Sequence, residues 1–434
     1  MVDQQRDCLI KSPVTGYVRR NRGWDTGDLI RRCCNALDTA RETITLLAAD
    51  GFKDTDDVNN HILPEKIIGE TGLLLLVTSI VASHKEIADR VETIAGLLIP
   101  YARKEKTFLD ICLQPSLAME YAMAHIFLTN IGYPDPKFDA LLLKSMNALA
   151  HYGRERPPHR MMEQAWIKKI WNHNASATNY HFSKTMADSV LNKPIDLLHG
   201  TRDDMYAFTH SLMYAADFNR SARNLPRRRA EILSEAEAML ARSLDEEDYD
   251  LAGEVLLTWP LTGKSWSAGA AFAFRILARV EDEAEFLPSL STNKATLQKL
   301  EGDDRKRYLY ASAYHTAYVM GLLCAVSLQP GKTPPKHIRT KTLVPGSARK
   351  ILHFLNHDRQ KKQWHDEFGK LTEHEQDALS GFLLNVALIR NVRQKQYGTV
   401  YELLGTAYQM SMADTALASQ TAELLDRLSM VSQG

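Results

Sequence analysis

Residues 28–47 read DLIRRCCNALDTARETITLL, and the spacing of their apolar side chains indicates the fold class. The apolar residues recur at intervals of three, four and seven positions; they are Leu29, Cys33, Leu37, Ile44 and Leu47. Because an α-helix has about 3.6 residues per turn, this spacing places all of them on one face. We therefore predict an amphipathic helix here, with Asp28 as its N-cap.

The same helical pattern continues along the rest of the chain. We predict further helices over residues 64–82, 85–102, 115–131, 136–151, 160–171, 203–219, 226–243, 248–259, 267–280 and 305–327, and three more before the carboxyl end. Alternating β-branched runs bounded by Asn-Gly or Asp-Gly turns are missing. The sequence predicts an all-α fold of paired antiparallel helices, arranged as an α/α toroid-like ring or as an α-solenoid.

Chain length and one proline-rich segment predict two domains. A chain of 434 residues is longer than one compact core usually holds. The polar segment 153–158 (GRERPP) ends in two prolines, which exclude a helix there. We place a boundary a little after it, between an N-terminal helical domain of residues 1–175 and a C-terminal, toroid-like helical domain of residues 176–434.

Composition argues against two classes of partner. Lysine plus arginine and aspartate plus glutamate both number 53, so no net charge attracts nucleic acid. The longest apolar stretch, residues 72–82, has 11 residues, whereas a membrane span needs about 20. The five cysteines lack metal-binding spacing and the amino terminus lacks an apolar signal segment, so we expect a cytoplasmic protein.

Residues 202–220 (RDDMYAFTHSLMYAADFNR) carry the best-placed polar side chains. In a helix Tyr206, His210 and Tyr214 are spaced i, i+4 and i+8, and Asp217 follows His210 by seven positions, so all four share one broad face. An imidazole beside a carboxylate suits acid–base chemistry or metal binding. We predict that these four residues are catalytic, with Asp217 orienting His210. Alternatively, His210 is a core histidine that donates to a carbonyl.

A second histidine lies in residues 305–328, whose centre reads SAYHTAYVMGLLCAV. His315 and Tyr318 share a face of a helix that is apolar enough to be buried, so both need hydrogen-bond partners. The candidate partners are Asp217 and Glu254, the latter a carboxylate in the apolar run YDLAGEVLLTW (249–259). We predict that His315, Tyr318 and Glu254 line the substrate pocket, although a hydrogen-bonded core histidine is the alternative.

The histidines and carboxylates also suggest a cofactor. His210, His315, Asp217 and Glu254 offer the ligand types of a zinc or non-haem iron centre, so a divalent metal is the candidate. The established zinc-protease and paired-cysteine spacings are missing from the chain.

A third segment, residues 154–171 (RERPPHRMMEQAWIKKIW), begins a helix with two polar and aromatic pairs. His159 and Glu163 are spaced i, i+4, and Glu163 and Trp166 are spaced i, i+3, so they can pack and hydrogen-bond locally. We predict that this helix docks one half of the protein on the other, and the alternative is an anion site at its start.

Three segments carry a resemblance to a known family: residues 154–171, DDMYAFTHSLMYAADF at 203–218 and YHTAYVMGLL at 314–323. In these segments the chain resembles an uncharacterised family of helical bacterial proteins. The likeness runs from about residue 64 to residue 328. Members of this domain-of-unknown-function family are found near genes of specialised-metabolite biosynthesis, so the resemblance implies a bacterial, cytoplasmic and biosynthetic setting. It implies no catalytic residues. The sequence AADFNR departs from the family where a glycine is expected after Asp-Phe.

Two functional hypotheses follow. The first is an enzyme of bacterial specialised-metabolite biosynthesis, with an internal pocket lined by His, Asp and Tyr, that acts on a small molecule or a carrier-bound substrate. The second is a non-catalytic helical scaffold that binds a partner biosynthetic enzyme or a carrier protein. A homodimer is compatible with both. The first requires His210 and His315 to face a common space from separate helices.

Overall fold

The computed structural model describes residues 24–53, 61–171, 176–221, 225–335, 337–338, 344–355 and 362–432, and almost all of these lie in helices or short turns. The first helices are α1 (Thr26–Leu47), α2 (Pro64–Thr78), α3 (Lys85–Ala102), α4 (Glu105–Leu113), α5 (Ala118–Tyr121), α6 (Met123–Asn130), α7 (Pro136–Met146) and α8 (Pro158–Trp171). The central helices are α9 (Ser176–Asp188), α10 (Arg202–Ala216), α11 (Arg229–Asp245), α12 (Tyr249–Leu256), α13 (Thr258–Thr262), α14 (Ala268–Ala284), α15 (Lys294–Lys299) and α16 (Gly302–Ser327). The last are α17 (Ser347–Leu352), α18 (Gln363–Phe368), α19 (Glu373–Ala378), α20 (Ser380–Arg393), α21 (Tyr397–Gln409) and α22 (Ala416–Ser432). The described strands, β1 (Phe52–Lys53) and β2 (His61–Ile62), form one small antiparallel pair. The all-α prediction is confirmed, whereas the choice between ring and solenoid stays a prediction.

Helix boundaries follow local capping chemistry. Helix α3 spans the predicted residues 85–102. Helix α1 begins three residues earlier than an N-cap at Asp28 predicts, because Asp25 caps it by accepting a hydrogen bond from the Asp28 amide at 2.9 Å. The predicted helix over 115–131 is divided into a 3-10 turn, α5 and α6.

Helix α16 packs against α1, α2 and α12. Among the described residues it is the one helix long and apolar enough to cross a membrane. However, 78% of its apolar window is buried inside the protein, as expected of a core helix. Its position brings segments that are distant in the sequence beside one another.

Two glycines allow these helices to approach closely. A Cβ atom on Gly321 of α16 would lie 2.5 Å from the Cβ of Ala36 in α1, closer than real Cβ contacts. A Cβ atom on Gly253 of α12 would lie 2.7 Å from Cγ1 of Val319 in α16. Glycine is therefore the residue that fits at both crossings. The second crossing holds the polar residues of α12 beside those of α16.

Contacts cross the boundary predicted near residue 175, which itself stays a prediction. Helix α1 packs along α16, and α8 packs against α10. Arg32 of α1, which is buried, forms ion pairs with Glu281 and Asp282 of α14. The two predicted halves therefore share helix contacts, and the candidate site lies where they meet.

Candidate active site

The amino-terminal ends of α10 and α12 are joined by an ion pair between an exposed arginine and a buried aspartate. Arg202 at the start of α10 donates to Asp248, from Nε to Oδ2 at 2.6 Å and from Nη2 to Oδ1 at 2.9 Å. Asp248 also caps α12 by accepting from the Leu251 amide at 3.2 Å. A bidentate arginine–carboxylate pair has a strongly preferred geometry. It therefore fixes the two helices side by side, so that Tyr206 and His210 lie beside Asp250 and Glu254.

The first histidine–carboxylate pair joins α16 to α12. Nδ1 of His315 lies 2.7 Å from Oδ1 of Asp250, and the hydroxyl of Tyr206 donates to Oδ2 of the same carboxylate at 2.5 Å. Burial lowers the pKa of His315, but Asp250 and Glu70 outweigh it and raise that pKa to about 10. Burial likewise opposes ionisation of Asp250, but the His315 imidazolium outweighs it and lowers the pKa of this carboxyl. The pair is thus an imidazolium and a carboxylate at neutral pH.

The second pair joins α10 to α12. Nε2 of His210 lies 3.3 Å from Oε1 of Glu254, and the hydroxyl of Thr209 donates to Oε2 of that carboxylate at 2.5 Å. Burial lowers the pKa of His210, but Glu254 outweighs it and the pKa is raised. Asp250 and Glu254 are four positions apart on α12, so they project from the same face.

A third carboxylate comes from α2. Oε1 of Glu70 lies 3.7 Å from Nε2 of His315, and its Oε2 accepts a hydrogen bond from the Tyr314 hydroxyl at 2.8 Å. The side chain of Glu70 is 25% exposed, whereas that of Asp250 is 7% exposed. The site is therefore closed on the side of α12 and partly open on the side of α2.

These groups converge on one place. Potential ligand atoms of Asp250, Glu254 and His315 all lie within 4.8 Å of one another. The charge of His315 also reaches His210, whose pKa it lowers. The imidazoles of His210 and His315 are 24% and 31% exposed, while the Glu254 side chain is only 2% exposed. Buried carboxylates thus hold two partly exposed imidazoles, an arrangement suited to proton transfer and to metal binding.

Asp217 does not contact His210 in this arrangement. Helix α10 ends at Ala216, and Asp217 is in the left-handed conformation at φ 51° and ψ 36°. Its carboxylate accepts hydrogen bonds from Nε1 of Trp166 at 2.7 Å and from the Ser221 hydroxyl at 2.8 Å. The carboxylate that contacts His210 is Glu254. Helical spacing fails here because the helix stops one residue before Asp217.

The residues after Asp217 keep the same unusual backbone. Phe218 and Asn219 also have positive φ angles, 48° and 60°. Asn219 occupies the position where the family resemblance leads one to expect glycine, and asparagine is among the residues that best tolerate this conformation.

The predicted tyrosines divide into two kinds. Tyr206 is part of the site because its hydroxyl donates a hydrogen bond to the Asp250 carboxylate. Tyr214 is buried, donates to Oε1 of Glu163 at 2.7 Å and stacks on Trp166 at a ring distance of 5.1 Å. Tyr318 is buried as well, with its hydroxyl 2.9 Å from the Thr71 hydroxyl. The hydroxyls of Tyr214 and Tyr318 therefore support the surrounding helices.

The segment around α8 forms the neighbouring wall. Arg160 donates to Oε2 of Glu163 at 2.9 Å, so both oxygens of this carboxylate are occupied. Burial is the main cause that lowers the pKa of His159, and the charges of Arg160 and His210 lower it further. Helix α8 thus contacts α10 through Trp166 and Glu163, and His159 lies close enough to His210 for the charges of the two rings to interact.

Sequence reasoning missed Asp250 and Glu70. Asp250 lies one helical turn before Glu254 in the same apolar run, so an i, i+4 pair of buried acids was a readable signal. Glu70 is an isolated acid in the apolar segment of α2, which is a weaker signal. Its role depends on the packing of α2 against α16.

The fold and the site together define an all-α protein with a histidine–carboxylate cluster built by four helices. Residues 31–325 match the family described as Domain of unknown function (DUF6895), and the chain belongs to that family. No curated protein and no solved structure matches the chain. Every member of the cluster lies within the matched residues, whereas α17 to α22 lie beyond them.

Proposed function

We propose that the protein is an enzyme that transfers protons to and from a small molecule, with His210 and His315 as the acid–base groups. The observation that carries the proposal is that both histidines, on separate helices, contact buried carboxylates of one helix and keep part of each ring exposed. Positioned acid–base groups contribute about 10²- to 10⁴-fold to a rate.

The hydrogen bonds give each group a distinct task. Asp250 accepts from Nδ1 of His315, which leaves Nε2 as the nitrogen that exchanges protons. Glu254 lies against Nε2 of His210, which leaves Nδ1 of that ring for the substrate. Tyr206 and Thr209 hold the far oxygens of the two carboxylates, so neither carboxylate is free to turn away. Two differently oriented imidazoles suit a reaction in which one atom is protonated while another is deprotonated.

The family resemblance supports the biological setting, because members of that family look like accessory proteins of specialised-metabolite gene clusters. In such a setting the substrate is a small molecule or a carrier-bound intermediate. We therefore propose a cytoplasmic biosynthetic enzyme of that kind, with a substrate that has an exchangeable proton.

Complementation of a deletion strain tests the function. The strain receives the wild-type protein, His315→Ala, Glu254→Gln or the control His374→Ala, which changes an exposed histidine of α19. Metabolites are profiled by untargeted mass spectrometry at matched protein levels. We expect the wild type and the control to restore the profile, and the two site variants to fail. Full restoration by His315→Ala would refute the proposal.

One observation favours the scaffold function as a second candidate. Helix α21 exposes Tyr401 and Tyr408, at 74% and 79%, seven positions apart and therefore on one face. Exposed tyrosines are enriched in protein interfaces. In the same complementation assay, loss of function in a Tyr401→Ala, Tyr408→Ala double variant, with full function in His315→Ala, would favour the scaffold.

A further inference from the structure

We propose that Asp250, Glu254 and His315 bind one divalent transition-metal cation, with His210 beside it. This inference rests on the proposed function, because it names a cofactor for the same cluster. The two remain separable by experiment, since proton transfer by the histidines does not require a metal.

The separation of the ligand atoms is close to what one ion needs. Metal–ligand bonds of about 2.0–2.2 Å place two ligands of one ion no more than about 4.4 Å apart. The three candidate ligand atoms lie within 4.8 Å of one another. Three atoms at most 4.8 Å apart lie within about 2.8 Å of a common centre, so a shift of at most about 0.7 Å in each side chain brings the set to bonding distance.

The carboxylates are already oriented for this task. The hydroxyl of Tyr206 holds Oδ2 of Asp250, and that of Thr209 holds Oε2 of Glu254. In both cases the other oxygen is the one that lies nearest a histidine. Hydrogen bonds to the outer atoms of ligands orient metal sites in the same way, and their removal typically weakens binding 10- to 100-fold.

Charge favours a cation at this place. Asp250 and Glu254 are almost fully buried, and Glu70 adds a third carboxylate 3.7 Å from His315. Buried like charges are costly unless a partner of opposite charge neutralises them. In the metal-free site the His315 imidazolium supplies that opposite charge. A divalent cation that displaces this proton binds the neutral imidazole and neutralises two of the three carboxylates.

The donor set also indicates the class of metal. One imidazole nitrogen with carboxylate oxygens suits Zn²⁺, Fe²⁺ or Mn²⁺, whereas Ca²⁺ and Mg²⁺ prefer oxygen ligands alone. We therefore choose Zn²⁺ and Mn²⁺ as probes, because both are stable in air at neutral pH.

Calorimetric titration of the full-length protein tests the site. The protein is stripped with EDTA, dialysed and titrated separately with Zn²⁺ and Mn²⁺. We expect the wild type and His374→Ala to bind one equivalent of at least one of the two ions. Glu254→Gln and His315→Ala should weaken that binding at least 100-fold, and Tyr206→Phe should weaken it about 10-fold.

The outcomes separate the two proposals. Circular dichroism verifies folding, and if His315→Ala unfolds, the nearly isosteric Glu254→Gln variant decides. Absence of saturable binding, or wild-type affinity in Glu254→Gln, overturns the metal site. If the metal site is overturned in this way while His315→Ala still fails to complement the deletion strain, the proposed proton transfer stands without a metal. If one equivalent of metal binds but His315→Ala complements fully, the metal site stands and the proposed function falls.

Discussion

Replacing Gly321 by alanine tests the close packing of α1 on α16. The new Cβ would lie 2.5 Å from Ala36 Cβ and 3.0 Å from Cδ1 of Leu74, so three helices have to separate locally. Overpacking of this kind costs about 1–3 kcal/mol. Alanine also gains about 1 kcal/mol of helix propensity over glycine, which partly hides the cost.

A matched glycine isolates the steric contribution. Gly96 lies within α3 and is exposed, and a Cβ atom added there would meet no other atom within 4 Å, so Gly96→Ala gains the propensity alone. Urea unfolding should show that Gly96→Ala raises the free energy of unfolding by about 1 kcal/mol. The free energy of unfolding of Gly321→Ala should lie about 1–3 kcal/mol below that of Gly96→Ala. Equal stabilisation by the two substitutions would refute the proposed crossing of α1 and α16.

Three shorter predictions concern buried groups. Burial raises the pKa of Glu237 to about 7, so ionisation of this carboxyl lowers the free energy of unfolding as pH rises from about 4.5 to 7. In urea unfolding, Glu237→Gln should therefore be more stable than the wild type by at most about 3 kcal/mol at pH 8, and equal to it at pH 4. Asp217→Ala should lose about 1–3 kcal/mol because Nε1 of Trp166 loses its acceptor, whereas Asp217→Asn, which keeps an acceptor, should lose less; equal losses would contradict that role. In a chain carrying Cys8→Ser, Ellman's reagent should modify the exposed Cys112 first, and fast labelling of a second native thiol would contradict the described burial.

Local helix structure was predictable because it depends on nearby residues. The apolar spacing in α1 and the bounds of α3 follow from helical periodicity alone. The predicted start of α1 was wrong because two acids three positions apart, Asp25 and Asp28, could each cap the helix. The hydrogen bond from the Asp28 amide to the Asp25 carboxylate shows that Asp25 is the cap.

The site was only partly predictable because it depends on contacts between distant helices. His210, His315 and Glu254 were found as polar residues on otherwise buried helices, and the structure brings them together. Asp217 was misplaced because three residues in the left-handed region follow α10, and helical spacing does not extend past them. The role of Glu70 requires α2 to pack on α16, where its partner Tyr314 lies 244 residues further along the chain, and no sequence periodicity reports that contact.

A double-mutant cycle on the pair His315 and Asp250 tests the existence of the site most directly. Free energies of unfolding are measured for the wild type, His315→Ala, Asp250→Asn and the double variant, with His374→Ala replacing His315→Ala in a control cycle. The contact at 2.7 Å predicts a coupling energy of about 1–3 kcal/mol, and the control pair should be additive within about 0.5 kcal/mol. A coupling energy for His315 and Asp250 as small as that of the control would contradict the placement of α12 beside α16, on which the site depends.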